Sequence, residues 1–262
     1  MWASDGHLPQ APAGIPNFAW VEEGRLARGM QPALTLAAYH ELRAHGFTAV
    51  LSLRQAQEYL DEDRRRYRVT EERALCRAVG LRLVHVPLGD YQAPRPSEMV
   101  RALTAIHREL ATGGTLYVHC FAGVGRTGVV CGAWQMLRGM SGDEALRQFE
   151  HFCLDSWRRA LVRRPELRVA DYLENVGAHG QAWVLQRIAA VVGRPVTDLP
   201  SWVRPRRPAH GAGWERRFRQ QLVRRLGVAL DTDVRPERHV AVLVEQRGPA
   251  YLSLEPCEEG AS

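Results

Sequence analysis

The sequence predicts an α/β layer structure with a mainly parallel central sheet flanked by helices, followed by a small C-terminal extension. Three observations carry that expectation. Short apolar runs suited to buried strands alternate with longer stretches of helical period. Several helical stretches open on a capping residue and stop at glycine. The alternation continues over most of the chain, which is the pattern of strands joined by crossover helices.

The elements follow in order. Residues 1–14, rich in Pro, Gly and Ala, form a tail. Phe18–Val21 and Arg25–Arg28 suit two short strands joined through Glu23-Gly24. Thr35 caps a helix bearing Leu36, Tyr39 and Leu42 that stops at Gly46, and Phe47–Leu53 is a buried strand. Asp61–Tyr67 is a mixed charge cluster expected to be solvated. A helix over Thr70–Val79, ended by Gly80, leads to a strand at Leu81–Pro87. After a loop over Leu88–Pro96, Ser97 is the expected N-cap of a helix carrying Val100, Leu103, Ile106 and Leu110. A buried strand begins at Thr115, and a helix runs over Gly128–Leu137. Ser141 and Glu144 form a capping box for the next helical region, which reaches about Val192 with breaks near Arg164-Pro165 and Gly177–Gly180. From Gly193 the texture changes to Pro and Arg. The expected divisions are a main domain over 15–193, a linker over 194–213, and a piece over 214–262. That last piece combines a basic amphipathic helix, Trp214–Leu226, with a hairpin of Val240–Glu245 and Ala250–Leu254.

With 262 residues, 45% of them hydrophobic, the chain can bury the core of one domain plus an appendage. The net charge is +6, yet all 35 basic residues are arginine. Such uniform use of one residue type suits a compositional bias, so nucleic acid is not expected as a partner. The five cysteines are an odd number with no metal-like pairing, which fits a reduced, cytoplasmic protein. No secretory pattern opens the chain, no apolar run is long enough to span a membrane, and no metal or cofactor is expected.

The chemistry concentrates in Thr115-Leu-Tyr-Val-His119-Cys120-Phe121-Ala122-Gly123-Val124-Gly125-Arg126-Thr127-Gly128. A strand–loop–helix turn of this kind aims backbone N–H groups and a helix N-terminus at one point, where an anion is held. Gly123 and Gly125 permit the tight backbone, and the planar fork of Arg126 can grip two phosphate oxygens. The same positive field favours the thiolate of Cys120, a nucleophile toward phosphorus. Thr127 can donate to that sulfur, and His119 can brace the loop through its ring.

The run His119-Cys-x-x-Gly-x-Gly-Arg-Thr-Gly128 resembles the HCxxGxGR[ST] signature of cysteine-dependent protein tyrosine phosphatases. Asp90, in Val86-Pro-Leu-Gly-Asp-Tyr-Gln-Ala-Pro94, is similarly placed to the acid loop of small dual-specificity phosphatases. Pro16–Ala27 and Gly46–Leu53 resemble the opening of their compact atypical members. The resemblance implies a dual-specificity phosphatase-like fold and a phosphocysteine intermediate. It assigns Cys120 as nucleophile, Arg126 as phosphate clamp, Asp90 as acid and then base, and Thr127 as support. Residues Phe121 to Arg126 would be the phosphate-binding loop. Gln181 is the one loose candidate for a water-positioning glutamine.

The implied substrate is a phosphorylated protein carrying phosphotyrosine, with phosphoserine and phosphothreonine as extensions. A phosphoinositide or inositol phosphate ranks second because Phe121, Ala122 and Val124 are apolar, and an RNA 5′-phosphate ranks third. A non-catalytic phosphoprotein-binding module is the reading from another class. Arg54 is expected to be structural more than phosphate-binding, and Asp61, Glu62 and Asp63 surface rather than a substitute acid. Cys76, Cys131 and Cys153 are equal candidates on sequence for a protective disulfide with Cys120.

Overall fold

The structure, a computed structural model, describes residues 12, 15–56, 58, 66–163, 178–197, 213–229 and 242–243. The expected tail (apart from residue 12), the acidic run 61–63, the break at 164–165, most of the linker, the 250–254 strand and Cys257 lie outside them.

Five strands form one sheet in the order β1 (Ala19–Glu22), β2 (Leu26–Gly29), β5 (Leu116–His119), β3 (Ala49–Ser52), β4 (Arg82–His85). Only the β1–β2 pair is antiparallel; β2–β5, β5–β3 and β3–β4 are parallel. The mainly parallel α/β architecture expected from the sequence is therefore present.

Period-two alternation assigns the two faces. Leu26, Leu51, Leu116 and Val118 enter a large cluster with α3 (Pro96–Ala111), α4 (Gly125–Leu137), α5 (Gly142–Arg163), α6 (Ala178–Val191) and α7 (Trp214–Leu226). Ala27, Val50 and Tyr117 point the other way, into a smaller cluster with α1 (Leu36–Ala44) and α2 (Val69–Ala78). Both faces are covered, which is why the central strands read as continuous apolar runs. Among the described residues no helix is long and apolar enough to cross a membrane.

Thr35 caps α1 as expected, its Oγ1 accepting from the Ala38 amide at 3.3 Å. Ser141 Oγ likewise accepts from the Glu144 amide at 3.1 Å. Three boundaries differ from expectation. Helix α3 starts at Pro96, not after Ser97, because proline suits the first helical position, where its missing N–H costs nothing. The Arg95 N–H there donates to Glu98 Oε2 at 2.7 Å. Helix α4 starts at Gly125, three residues before Gly128, which places Arg126 and Thr127 in its first turn. Strand β7 (Val242–Leu243) pairs antiparallel with β6 (Val228–Ala229), a strand the pattern did not announce. Gly227, left-handed at φ 60°, ends α7 and turns the chain straight into β6.

The parallel register brings Gly29, His119, Ser52 and His85 side by side at the C-terminal ends of their strands. The segments Met30-Gln31, Cys120–Val124, Leu53–Ala56 and Val86–Arg95 thus leave the sheet at one edge. In open α/β sheets that edge is where ligands bind.

Candidate active site

The loop after β5 is shaped from behind. The carbonyl of Phe121 accepts from the Gln31 N–H at 3.0 Å, and that of Ala122 from Asn17 Nδ2 at 2.6 Å. Arg28 Nη2 donates to the Gly123 carbonyl at 2.6 Å and to that of Val124 at 3.3 Å. In a trans peptide the N–H points opposite to the preceding C=O. Four carbonyls turned backward therefore aim the N–H groups of Ala122, Gly123, Val124 and Gly125 forward, toward one another's focus. Gly123 has φ +70°, and a Cβ there would lie 2.2 Å from the Gly29 carbonyl, so only glycine lets the loop seat against β2.

In front of the loop lies a cavity of about 210 Å³, lined by Asp90, Tyr91, Cys120, Phe121, Ala122, Val124, Gly125, Arg126, Cys153 and Gln181. Cys120, Arg126 and Asp90, expected together, are together here. Of the expected loop residues, Phe121, Ala122, Val124, Gly125 and Arg126 line it, and Gly123 is not among the lining residues. Thr127 is fully buried in the first turn of α4, its Oγ1 without a hydrogen-bond partner.

Arg126 is buried and held from one side. Its Nη1 and Nη2 both donate to Glu58, the second at 3.0 Å to Oε2, and Nη1 also donates to the Leu88 carbonyl at 3.3 Å. Asp90 Oδ1 lies 3.2 Å from Nη2. The buried Nε has no partner. Burial opposes the charge of Arg126, but Cys120, Glu58 and Asp90 outweigh it and raise the pKa of the guanidinium above its ordinary value.

Glu58 was not expected in the site. It bridges two arginines, receiving Arg54 Nε at 3.0 Å as well as Arg126, while the Gln55 amide donates to its Oε1 at 2.7 Å. Burial pushes its carboxyl up; the hydrogen bond and charge of Arg126 overcome that and leave it lowered. Arg54 is fully buried, packed between the Tyr67 and Phe121 rings at 4.7 and 5.0 Å, and donates to Gln31 Oε1. It is not among the residues lining the cavity.

Asp90 is about one-third exposed. Its N–H donates to Gln55 Oε1 at 3.4 Å, and its Oδ1 accepts from the Tyr91 amide at 3.2 Å. Burial raises its carboxyl above the ordinary range, with Glu58 adding to the rise and Arg126 opposing it. Tyr91 sits at φ 53°, an uncommon conformation for a residue with a side chain.

His119 braces the loop from the α2 side of the sheet. Its Nδ1 lies 2.9 Å from the Cys120 carbonyl oxygen and its Nε2 lies 2.8 Å from Glu72 Oε1. Glu72 also accepts from the Tyr39 hydroxyl at 2.7 Å and from that of Tyr67. Burial raises the Glu72 carboxyl, yet His119 and the two tyrosines bring it down to about 2. Its folded-state value lies below the unfolded value of about 4.3. The stabilisation is thus present above about pH 4.3 and lost as the pH falls toward 2. Glu72→Gln should lower the unfolding free energy by about 1.5–3 kcal/mol at neutral pH, read by urea denaturation, since it removes the charged acceptor that the buried Tyr39 and Tyr67 hydroxyls share.

The cysteines separate by place. All four described are free thiols. Cys76 belongs to the cluster on the α1–α2 face, whereas Cys131 and Cys153 share the other cluster with Cys120. Only Cys153 of these three lines the cavity. Burial pushes the thiols of Cys76 and Cys153 up to about 12 and that of Cys131 to about 11. Gln181 is nearly fully buried on α6, and its amide lies against the loop: a Cβ on Gly125 would stand 2.6 Å from its Oε1, an atom with no partner.

Residues 27–140 match the family model Tc-R-P, "Polymorphic toxin system, DSP-PTPase phosphatase". The match, to a phosphatase family of the dual-specificity and tyrosine phosphatase type, spans less than half of the chain. Cys120, Arg126, Asp90 and Glu58 fall inside the match; Gln181 and Trp214 fall beyond it. The chain is also similar to the solved structure of Tk-PTP in its active form, 24% identical over 62% of this chain and 97% of that one, TM-score 0.40. It is similar to the core catalytic domain of the PP-IP phosphatase SIW14 from S. cerevisiae, 18% identical over 60% and 82%, TM-score 0.41. TpbA of P. aeruginosa is 21% identical over 59% and 86%, TM-score 0.39.

Proposed function

We propose that the phosphatase domain hydrolyses phosphate monoesters of protein, phosphotyrosine first, through a phosphocysteine intermediate at Cys120. One observation carries this reading. Cys120, Asp90, the loop residues Phe121, Ala122, Val124 and Gly125, and Arg126 with its unpartnered buried Nε line one cavity.

In the first step the Cys120 sulfur, as thiolate, attacks phosphorus and the ester oxygen leaves. The transferring phosphoryl group carries its charge on three oxygens, met by loop amides and by Arg126 Nε. Asp90, protonated, gives its proton to the leaving oxygen. In the second step its carboxylate takes a proton from water as that water attacks phosphorus, and the sulfur departs. Thr127 Oγ1, with no other partner, can donate to the departing sulfur. Gln181 Oε1 can accept from the attacking water.

Phosphotyrosine is favoured by the walls. Phe121 and Tyr91 stand exposed at the cavity, and Arg126 is the only cation lining it among the described residues. A single phosphate on an aromatic ring fits such a site, whereas a polyphosphorylated inositol calls for further cations. A panel of phosphotyrosine, phosphoserine and phosphothreonine peptides, inositol phosphates and 5′-phosphorylated RNA tests this. The phosphotyrosine peptide should show the highest kcat/KM. A higher value for inositol phosphates or RNA ends overturns the substrate, and no turnover of any, including p-nitrophenyl phosphate, overturns the enzyme in favour of a binding module.

A further inference from the structure

The segment carrying Asp90 is anchored unevenly. At its start Leu88 N–H donates to the Leu53 carbonyl at 3.1 Å, and Arg126 holds the Leu88 carbonyl. Its far end, Ala93-Pro94, is met by the two helices that lie beyond the matched segment. Gly180 of α6 abuts Ala93, an added Cβ standing 3.6 Å from the Ala93 Cβ. On α7, Trp214 Nε1 donates to the Pro94 carbonyl at 3.0 Å.

That bond is built in. Trp214 is nearly fully buried, its ring stacked on Phe218 at 5.0 Å and edge-on to Trp183 at 6.1 Å. Phe218, Leu222 and Leu226 are buried in the cluster that includes α3, and Arg187 of α6 pairs with Glu215 at 2.8 Å. Pro94 is itself buried, and its carbonyl needs a donor out of reach of water. The basic amphipathic helix, expected in a separate C-terminal piece, thus presents its apolar face to the larger core cluster and one N–H to the segment bearing the acid.

We propose that α7 is a working part of the phosphatase unit, and that Trp214 is a positioning residue that holds Asp90 where it can protonate the leaving oxygen. This rests on the assignment of Asp90 as the acid. A residue acting through the acid matters in proportion to the proton the leaving group needs. Trp214→Phe keeps an aromatic ring and deletes the donor. Its kcat/KM on phenyl phosphate, which reports the first step and whose leaving oxygen needs the proton, should fall about 10-fold. That fall should be at least about five times larger than the fall in kcat/KM on p-nitrophenyl phosphate, whose anion leaves readily. In the Asp90→Asn background the same change should cost nothing further on phenyl phosphate.

An equal fall on both substrates, no fall on either, or a full additional loss beside Asp90→Asn overturns the proposal. Should Trp214→Phe fail to fold, 3-benzothienylalanine at 214, the same bicycle without the N–H, is read by the same criteria. Failure of the underlying assignment looks different: Asp90→Asn would then leave the wild-type dependence on leaving group intact.

Discussion

Arg126→Lys is expected to cut kcat/KM by about 10³-fold with the fold retained, as read by steady-state kinetics and circular dichroism together. The size follows from what lysine lacks. Arg126 uses Nη1 and Nη2 on Glu58 and Nη2 on Asp90 while its buried Nε has no partner, three donors on one rigid plane. A single ammonium cannot face all of them. The Glu58 carboxylate would lose its fork and stay paired with Arg54 alone, so the loop's cation would also be less firmly placed. Most of the loss should appear in kcat, because the phosphoryl charge met by Nε is greatest in the transition state.

Asp90→Asn should lower kcat on poor leaving groups by about 10²–10⁴-fold, the span of general acid catalysis. The pH profile carries the sharper signature. Asp90 must be protonated in the first step, so the rate of that step falls as the pH rises through its pKa. Burial raises that pKa, which moves the descending limb to higher pH than an ordinary carboxylate would give. Asparagine does not titrate, so the variant should lack this limb while keeping the low rate throughout. A variant that retains the limb would assign it to another group.

The parts of this account that could be read from the chain are those in which cause and effect are neighbours. The cradle is one contiguous run, and its glycines, arginine and cysteine declare the turn they make. The buried strands stood out as apolar runs because helices cover both faces. Glu58 did not stand out: its partner Arg126 is 68 residues away, and it lies near a charge-rich stretch that resembles a solvated face. The spacing of Arg54 and Glu58, four residues apart, was the one local hint. Trp214 reaches Pro94 across 120 residues, a contact that only the packing of α7 on α3 creates. The helix starts shifted where one local rule outweighed another. Pro96 at the first helical position displaced Ser97 as cap, and the loop entered α4 at Gly125 instead of Gly128.

The most direct measurement of the central claim is rapid acid quench of the enzyme during turnover of an aryl phosphate, followed by mapping of covalent phosphate on the chain. One phosphate per chain on Cys120, appearing with a burst of released phenol and absent in an inactive Cys120→Ser protein, is the predicted result. Turnover without phosphate on sulfur, or sustained turnover by Cys120→Ser, would contradict it.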